Sequence, residues 1–293
     1  MNLSDLEAFA AVARHRSFRR AAAERGVAPS SVSKSVRDLE TRLGLRLLNR
    51  TTRSVATTEA GQRLLNRIAP ALSEIAAAVD QAGEHAGEPA GTVRINAPEP
   101  AVELVLAPLV ASFLSFHPKV RLEIVSETAF VDIVQAGFDA GVRWDESLAQ
   151  DMIAISLGAP QRYAVVAAPE VIAEHGAPLA PHDLLVRPCL RIRFPSGVMP
   201  AWEFERDGGI IRIEPEARLV TNSIPLLLRA ALDGVGFCTA FEGQVREHVA
   251  AGRLISVMED WLPPFPAPFL YYPNRDVPSA LRAFIDFVKR NAG

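Results

Sequence analysis

The chain has 293 residues, enough for about two domains, and 49% of them are hydrophobic, ample for ordinary cores. The net charge of −3 hides an asymmetry: 13 Lys and Arg stand against 6 Asp and Glu through Arg67, and 18 against 28 in the remainder, so a basic head precedes an acidic body. No run of 18 apolar residues occurs, so no membrane span is expected; the start MNLSDLEAFA lacks a signal peptide's basic end and apolar core, and the two cysteines, Cys189 and Cys238, make no disulfide framework, which fits a reducing cytoplasm.

Residues 3–14 read as a first helix, with Leu3, Leu6, Phe9, Ala10 and Ala13 on its apolar side and His15 at its end in a cap or surface role. Ser17 caps the helix FRRAAAER, and Gly26 supplies the turn out of it. Pro29 opens the next helix at a first-turn position, where its missing N–H costs nothing. Val32, Val36, Leu39 and Leu43 recur at helical spacing and make one buried face; Gly44 ends the helix. Between them Ser30, Ser31, Ser33, Lys34 and Arg37 form a face of short hydroxyls and cations, with no acid until Asp38. Such a face suits the major groove of double-stranded DNA, where hydroxyls approach base edges and phosphates closely and cations add charge attraction. Asn49-Arg50-Thr51-Thr52-Arg53-Ser54 reads as a short polar hairpin, whose Arg50, Thr51 and Arg53 are candidates for the backbone or minor groove. A generic three-helix unit with a solvated basic surface has the same pattern; the charge asymmetry together with the helix pair favours nucleic-acid binding.

The spacing of Leu6, Phe9, Val12, Ser17-Phe18, Ala21-Ala22, Gly26-Val27, Val32-Ser33, Leu39-Glu40, Leu43-Gly44, Leu47-Leu48, Arg50-Thr51-Thr52-Arg53 and Thr58-Glu59-Ala60-Gly61 resembles the DNA-binding domain of the LysR-type transcriptional regulators. The resemblance implies a winged helix-turn-helix over residues 1–58. One departure is Ala28, where the family usually has Ser or Thr; an Ala N-cap costs about 1 kcal/mol of local helix stability.

From Thr58 a long helix is expected, with Thr57 or Thr58 as cap. Leu65, Ile68, Leu72, Ile75, Val79 and Ala82 follow in steps of three and four, a heptad seam seeking a partner helix. A helix lying on its own protein's core gives the same periodicity; the resemblance implies dimerisation through Leu65, Ile68, Leu72, Ile75 and Val79. Pro70 inside it should bend it. Three Gly and one Pro in residues 83–91 make a hinge linker, so 59–91 forms helix plus linker.

Beyond it the pattern is α/β. Strands are expected at 92–97, 120–125, 138–143, 153–157, 162–167, 189–194, 202–205, 210–213, 219–221, 236–240, 254–258 and 269–272. Helices are expected at 100–116, burying Leu104, Leu106, Leu109, Val110 and Phe113, and at 130–136, 169–175, 224–232 and 241–251. A last helix is capped by Ser279, with Leu281, Phe284, Ile285 and Val288 inside. Strand–helix–strand alternation implies parallel crossovers, and Asp207-Gly208-Gly209 marks a hairpin turn. Arg94–Pro98, Phe138–Arg143, Ala167–Pro169, Ala231–Gly236 and Gly252–Leu254 resemble the effector-binding domain of the same family. The resemblance implies an α/β multidomain chain whose body, 92–293, holds two subdomains like a type 2 periplasmic binding protein: subdomain I at about 92–160 and 266–293, subdomain II at about 161–265.

In such sheets small molecules sit at the carboxyl ends of strands, beside helix N-termini. That selects Pro98 and Glu99, Thr128, and Asn222 with Ser223; Arg143 is a candidate for an acid group, and Trp144, Phe194 and Phe241 for an aromatic ring. Packing or capping explains each of these residues singly. Glu99 stands where many family members keep a small or hydroxyl residue, and it would repel an anionic effector unless paired, so a cationic, neutral or polar effector stays open. The whole reading is a cytoplasmic transcriptional regulator with double-stranded DNA and a small molecule as partners, itself a homodimer or homotetramer. An enzyme lacks support: the six His are scattered, no His-Glu-x-x-His or Gly-x-Ser-x-Gly occurs, and no cofactor or metal site is indicated. A thiol switch needs Cys189 and Cys238 to meet, and each lies in an apolar strand-like stretch where a buried, inert thiol is expected.

Overall fold

The computed structural model describes residues 2–50, 55–82, 88–129, 131–144, 152–273 and 277–291. Helices α1 (Leu3–His15), α2 (Phe18–Glu24) and α3 (Pro29–Leu43) form the head with strands β1 (Leu48–Arg50) and β2 (Val55–Thr57), which pair antiparallel. Their core is Leu6, Phe9, Val12, Ala21, Ala22, Val32, Val36, Leu39, Leu47 and Leu48. Ser17 Oγ accepts from Arg20 N–H, and Gly26 and Gly44 both take φ +64°, the left-handed turn for which glycine is suited. Ala28 caps α3 with no side-chain hydrogen bond. Two expectations fail at helix ends. Leu3 and Leu43 are 40% and 39% exposed, because the first and last residues of α1 and α3 lie where the chain turns away from the packed middle.

Helix α4 (Glu59–Ala82) runs unbroken through Pro70, and Thr58 Oγ1 accepts from Gly61 N–H at 3.0 Å. Gly61 lies against the head, since a Cβ there would be 2.0 Å from the Leu47 carbonyl oxygen.

The body holds two five-stranded sheets. The first has the order β4-β3-β5-β14-β6, from β3 (Gly91–Ala97), β4 (Val120–Ser126), β5 (Ala140–Arg143), β6 (Met152–Ser156) and β14 (Phe269–Pro273). Strands β4, β3 and β5 are parallel, and β14 runs antiparallel to β5 and β6. The second has the order β11-β8-β12-β7-β13, from β7 (Tyr163–Ala167), β8 (Cys189–Ile192), β11 (Ala217–Thr221), β12 (Phe237–Phe241) and β13 (Ile255–Val257). Here β11, β8 and β12 are parallel, with β7 and β13 antiparallel additions. A hairpin of β9 (Trp202–Arg206) and β10 (Gly209–Ile213) turns on Asp207 and Gly208, both at positive φ. The parallel arrangement is therefore confined to three strands in each sheet.

Helices α5 (Glu99–Ala101) and α6 (Ala107–Phe116) are joined by a π turn at Val102–Leu106, and α10 (Ser279–Asn291) packs beside them on the first sheet. The π turn adds a residue to the helical repeat, which rotates the later side chains. Val105, Leu106 and Phe113 are fully inside, while Leu104 and Leu109 are only partly covered. The span Glu99–Phe116, which includes Glu99 and Glu103, is long and apolar enough to cross a membrane by length and composition, and 22% of it is buried in the fold. The helix expected at 130–136 is a single turn closed by Gly137 at φ +74°, with Phe138 N–H donating to Ile133 O. Ser279 is not a cap: it is the first helical residue, and its buried hydroxyl has no hydrogen-bond partner among the described residues. Leu281, Phe284, Ile285 and Val288 are buried as expected. The remaining helices are α7 (Pro169–His175), α8 (Ile224–Leu232) and α9 (Glu242–Ala250).

Ala28→Ser should stabilise the head by about 1 kcal/mol by supplying the missing cap. Gly61→Ala should destabilise it by about 1–3 kcal/mol through the clash with the Leu47 carbonyl. Both shifts are measurable in the head's transition during urea denaturation.

Candidate functional site

The head presents α3. Val32, Val36 and Leu39 point inward, and this leaves Ser30, Ser31, Lys34 and Arg37 exposed and Ser33 half-buried. Arg37 Nε donates to the Ser33 carbonyl at 3.2 Å, which lays its side chain along the helix. Arg50 is placed at the base of the wing but is engaged: it donates to Glu40 Oε2 at 2.9 Å and lies 4.7 Å from the Phe18 ring centroid. The other oxygen of Glu40 accepts from the N–H groups of Leu47 and Leu48, an anchor that no local sequence signal announces. Thr51 and Arg53 lie outside the described residues. In α4, Leu65 and Ile68 pack against the head core, Leu72 is half-buried and Ile75 is 43% exposed; the side chain of Val79 lies outside the described residues.

In the body, all nine candidates fall at the carboxyl ends of the six parallel strands. Pro98 and Glu99 follow β3, Thr128 follows β4, and Arg143 with Trp144 ends β5. Phe194 follows β8, Asn222 and Ser223 follow β11, and Phe241 ends β12. The two sets meet. The rings of Trp144 and Phe241 are 5.0 Å apart, Tyr163 lies 4.7 Å from Phe241 and 5.0 Å from Phe265, and Gln244 Nε2 donates to Glu103 Oε2 at 2.7 Å. The Glu103–Gln244 bridge joins residues 141 apart in sequence and was not foreseeable from either local stretch.

The remaining positions differ in role. Pro98 is buried as the N-cap of α5, and Glu99 is half-buried in its first turn. Ser223 Oγ accepts from Leu226 N–H and so caps α8, while Asn222, Thr128 and Phe194 are exposed. Arg143 is 9% exposed. Its Nη2 donates to Asn96 Oδ1 at 2.6 Å and to the carbonyls of Glu127 and Ala129, and Nη1 donates to the Val142 carbonyl. Burial holds its pKa below the usual guanidinium value. Burial likewise raises the Tyr271 phenol, with Arg143 opposing. Asn96 Nδ2, Trp144 Nε1 and Tyr271 Oη are buried without hydrogen-bond partners among the described residues.

Cys189 and Cys238 are buried on opposite sides of the second sheet, in separate core clusters. Desolvation pushes both thiols up to about 12. No group of three His, Cys, Asp or Glu able to hold a metal occurs among the described residues.

Residues 3–62 match the bacterial regulatory helix-turn-helix protein, lysR family, and residues 86–293 match the LysR substrate binding domain. The chain is 41% identical to the uncharacterized HTH-type transcriptional regulator YcaN of Escherichia coli, over 99% of this chain and 95% of that protein. It is 38% identical to the HTH-type transcriptional regulator PgrR of the same organism, over 98% and 97%. The solved LysR-type regulator CrgA of Neisseria meningitidis superposes with a TM-score of 0.62 at 30% identity, covering 100% and 99% of the two chains. The full-length AphB of Vibrio cholerae shares the fold, with a TM-score of 0.68 at 24% identity and 100% coverage of both. The chain therefore belongs to the LysR family: it is a transcriptional regulator, not an enzyme, with a DNA-binding helix-turn-helix head and a two-subdomain body that binds a small-molecule effector.

Proposed function

We propose that Ser30, Ser31, Ser33, Lys34 and Arg37 read the major groove of double-stranded DNA, while Arg50, Thr51 and Arg53 hold the wing along the backbone. The observation that carries this reading is the division of α3, whose apolar positions are buried while its hydroxyls and cations face solvent. The Glu40–Arg50 pair suits bracing of the wing more than base reading. The effector lies between the facing strand ends, against Pro98, Glu99, Thr128, Arg143, Trp144, Phe194, Asn222, Ser223 and Phe241. A half-buried Glu99 in the positive first turn of α5 argues against an anion at that end of the cleft.

The chain acts as a cytoplasmic homodimer or homotetramer, with head 1–58, helix and linker 59–91 and body 92–293. Because Leu65 and Ile68 lean on the head, the dimer seam falls to Leu72, Ile75 and Val79. A thiol switch is disfavoured by the separation of Cys189 and Cys238 on opposite sheet faces.

Fluorescence anisotropy with the DNA upstream of the protein's own gene, against a shuffled competitor at two salt concentrations, tests the head. Specific, salt-sensitive binding is expected; equal affinity for both DNAs contradicts the assignment of that operator. Lys34→Ala should weaken binding to every sequence and reduce the slope of log K against log salt by about 1 if it meets phosphate. Leu72→Asp should lower the solution mass by light scattering, and an unchanged mass removes Leu72 from the seam. Replacing Cys189 and Cys238 together with Ser should leave DNA affinity unchanged before and after peroxide.

A further inference from the structure

We propose that the face of the first sheet turned away from α6 and α10 holds a pocket for one compact anion, a halide or a carboxylate, formed by Asn96, Arg143 and Tyr271 over Gly141. The proposal deepens the reading of Arg143 as an effector contact and rests on it for the source of the anion. The pocket itself adds Asn96 and Tyr271, which the strand-end cleft does not include, and it fixes the charge of what they bind.

Alternation along the strands separates the two faces of the sheet. Ile95 and Ala97 of β3, Ala140 and Val142 of β5, and Leu270 and Tyr272 of β14 belong to the core beneath the helices. Asn96, Gly141, Arg143 and Tyr271 therefore point the other way. Register then brings them together, because Gly141 is paired with Asn96 on one side and with Tyr271 on the other. The tyrosine leans across the glycine: a Cβ at position 141 would overlap Tyr271 Cζ and Oη. Space, not a left-handed backbone, requires glycine there. Arg143 reaches the same place, with Nη2 donating to Asn96 Oδ1 at 2.6 Å.

This cluster is short of acceptors and short of negative charge. Asn96 is fully buried and Tyr271 is 4% exposed, yet Asn96 Nδ2 and Tyr271 Oη have no hydrogen-bond partner among the described residues. Arg143 forms no ion pair among them. Its guanidinium donates to neutral oxygens alone, those of the Val142, Glu127 and Ala129 carbonyls and of the Asn96 amide. Glu127 and Asp132 act on Arg143 and Tyr271 through space, and Asp132 Oδ1 is engaged by Gln135 N–H at 3.0 Å. Buried donors without acceptors and a buried cation without a counter-charge each cost free energy. A water molecule answers the first deficit; an anion answers both. The burial of all three side chains limits the guest to an ion of a few atoms or to the acid tip of a larger molecule. Glu99 does not oppose it, since it belongs to α5, whose Ala101 packs in the core on the helix side of the sheet.

Chlorine NMR of the full chain tests the pocket with chloride as the probe. Chloride should broaden the resonance saturably, and formate should reverse the broadening. Formate should also raise the melting temperature. Tyr271→Phe keeps the ring over Gly141 and removes only the hydroxyl, so chloride should bind at least about tenfold more weakly. Asn96→Asp sets a carboxylate against Arg143, and should abolish both the broadening and the response to formate. Absence of saturable broadening in the wild type would overturn the proposal, as would equal broadening in all three proteins, the mark of an adventitious ion only. Larger carboxylic acids then identify the source. An acid that stabilises the wild type and not Asn96→Asp, at concentrations where formate has no effect, makes the effector the source. If formate binds and no larger acid exceeds it, the pocket stands as a site for a free ion, and the reading of Arg143 as an effector contact fails.

Discussion

The body depends on a directional constraint. Parallel strands bring all their carboxyl ends to one edge, and each sheet has three of them. Free carbonyls, helix N-termini and short polar loops therefore collect on one side of each subdomain. The antiparallel strands serve a different purpose, because they carry the chain between sheets, once from β6 to β7 and once from β13 back to β14. The two crossings are bonded to each other where Gln161 and Phe265 exchange backbone hydrogen bonds at 2.9 and 2.8 Å. The aromatic cluster of Trp144, Tyr163, Phe241 and Phe265 lies beside that pair. The paired crossings thereby tie the two sheets together at that end.

In the head the placement of acids decides which cations remain available. Asp5 pairs with Arg42, Glu7 with Arg25, Glu24 with Arg14, Glu40 with Arg50 and Glu59 with Arg63. Most carboxylates of this basic domain are thus used to fix arginines that lie off the first turns of α3. None of these pairs involves Lys34 or Arg37, which stay exposed on α3. Surface pairs contribute little to stability. Their larger effect here is on orientation, most clearly for Glu40, whose carboxylate joins α3, β1 and the base of the wing.

What the sequence makes legible is what is decided locally. Ser17 as a cap, the left-handed turns at Gly26 and Gly44, and the Asp207-Gly208 hairpin each follow from a few neighbouring residues. The strand ends that carry the candidate residues are also legible, since they follow from element order. Periodicity alone could not tell that Leu65 and Ile68 serve the head, because a heptad seam looks the same whichever surface covers it. Nor could it show the π turn at Val102–Leu106, which shifts the buried positions of the helix by one residue. From its place at a strand end Arg143 is a candidate partner for an acid group; that backbone carbonyls and Asn96 Oδ1 occupy its guanidinium depends on where the chain after β4 folds back, a tertiary fact.

The unpaired polar atoms give the cleft an energetic bias. Asn96 Nδ2, Trp144 Nε1 and Tyr271 Oη are donors buried without partners among the described residues, and leaving such a group unsatisfied costs about 1–3 kcal/mol each. Natural folds tolerate this cost mainly where function requires it. Asn96 is bonded to Arg143 through its other amide atom, Tyr271 acts on Arg143 electrostatically, and Trp144 is the next residue in the chain. An acceptor placed among these donors would satisfy them and meet Arg143 as well, which is the chemistry that the proposed effector site offers.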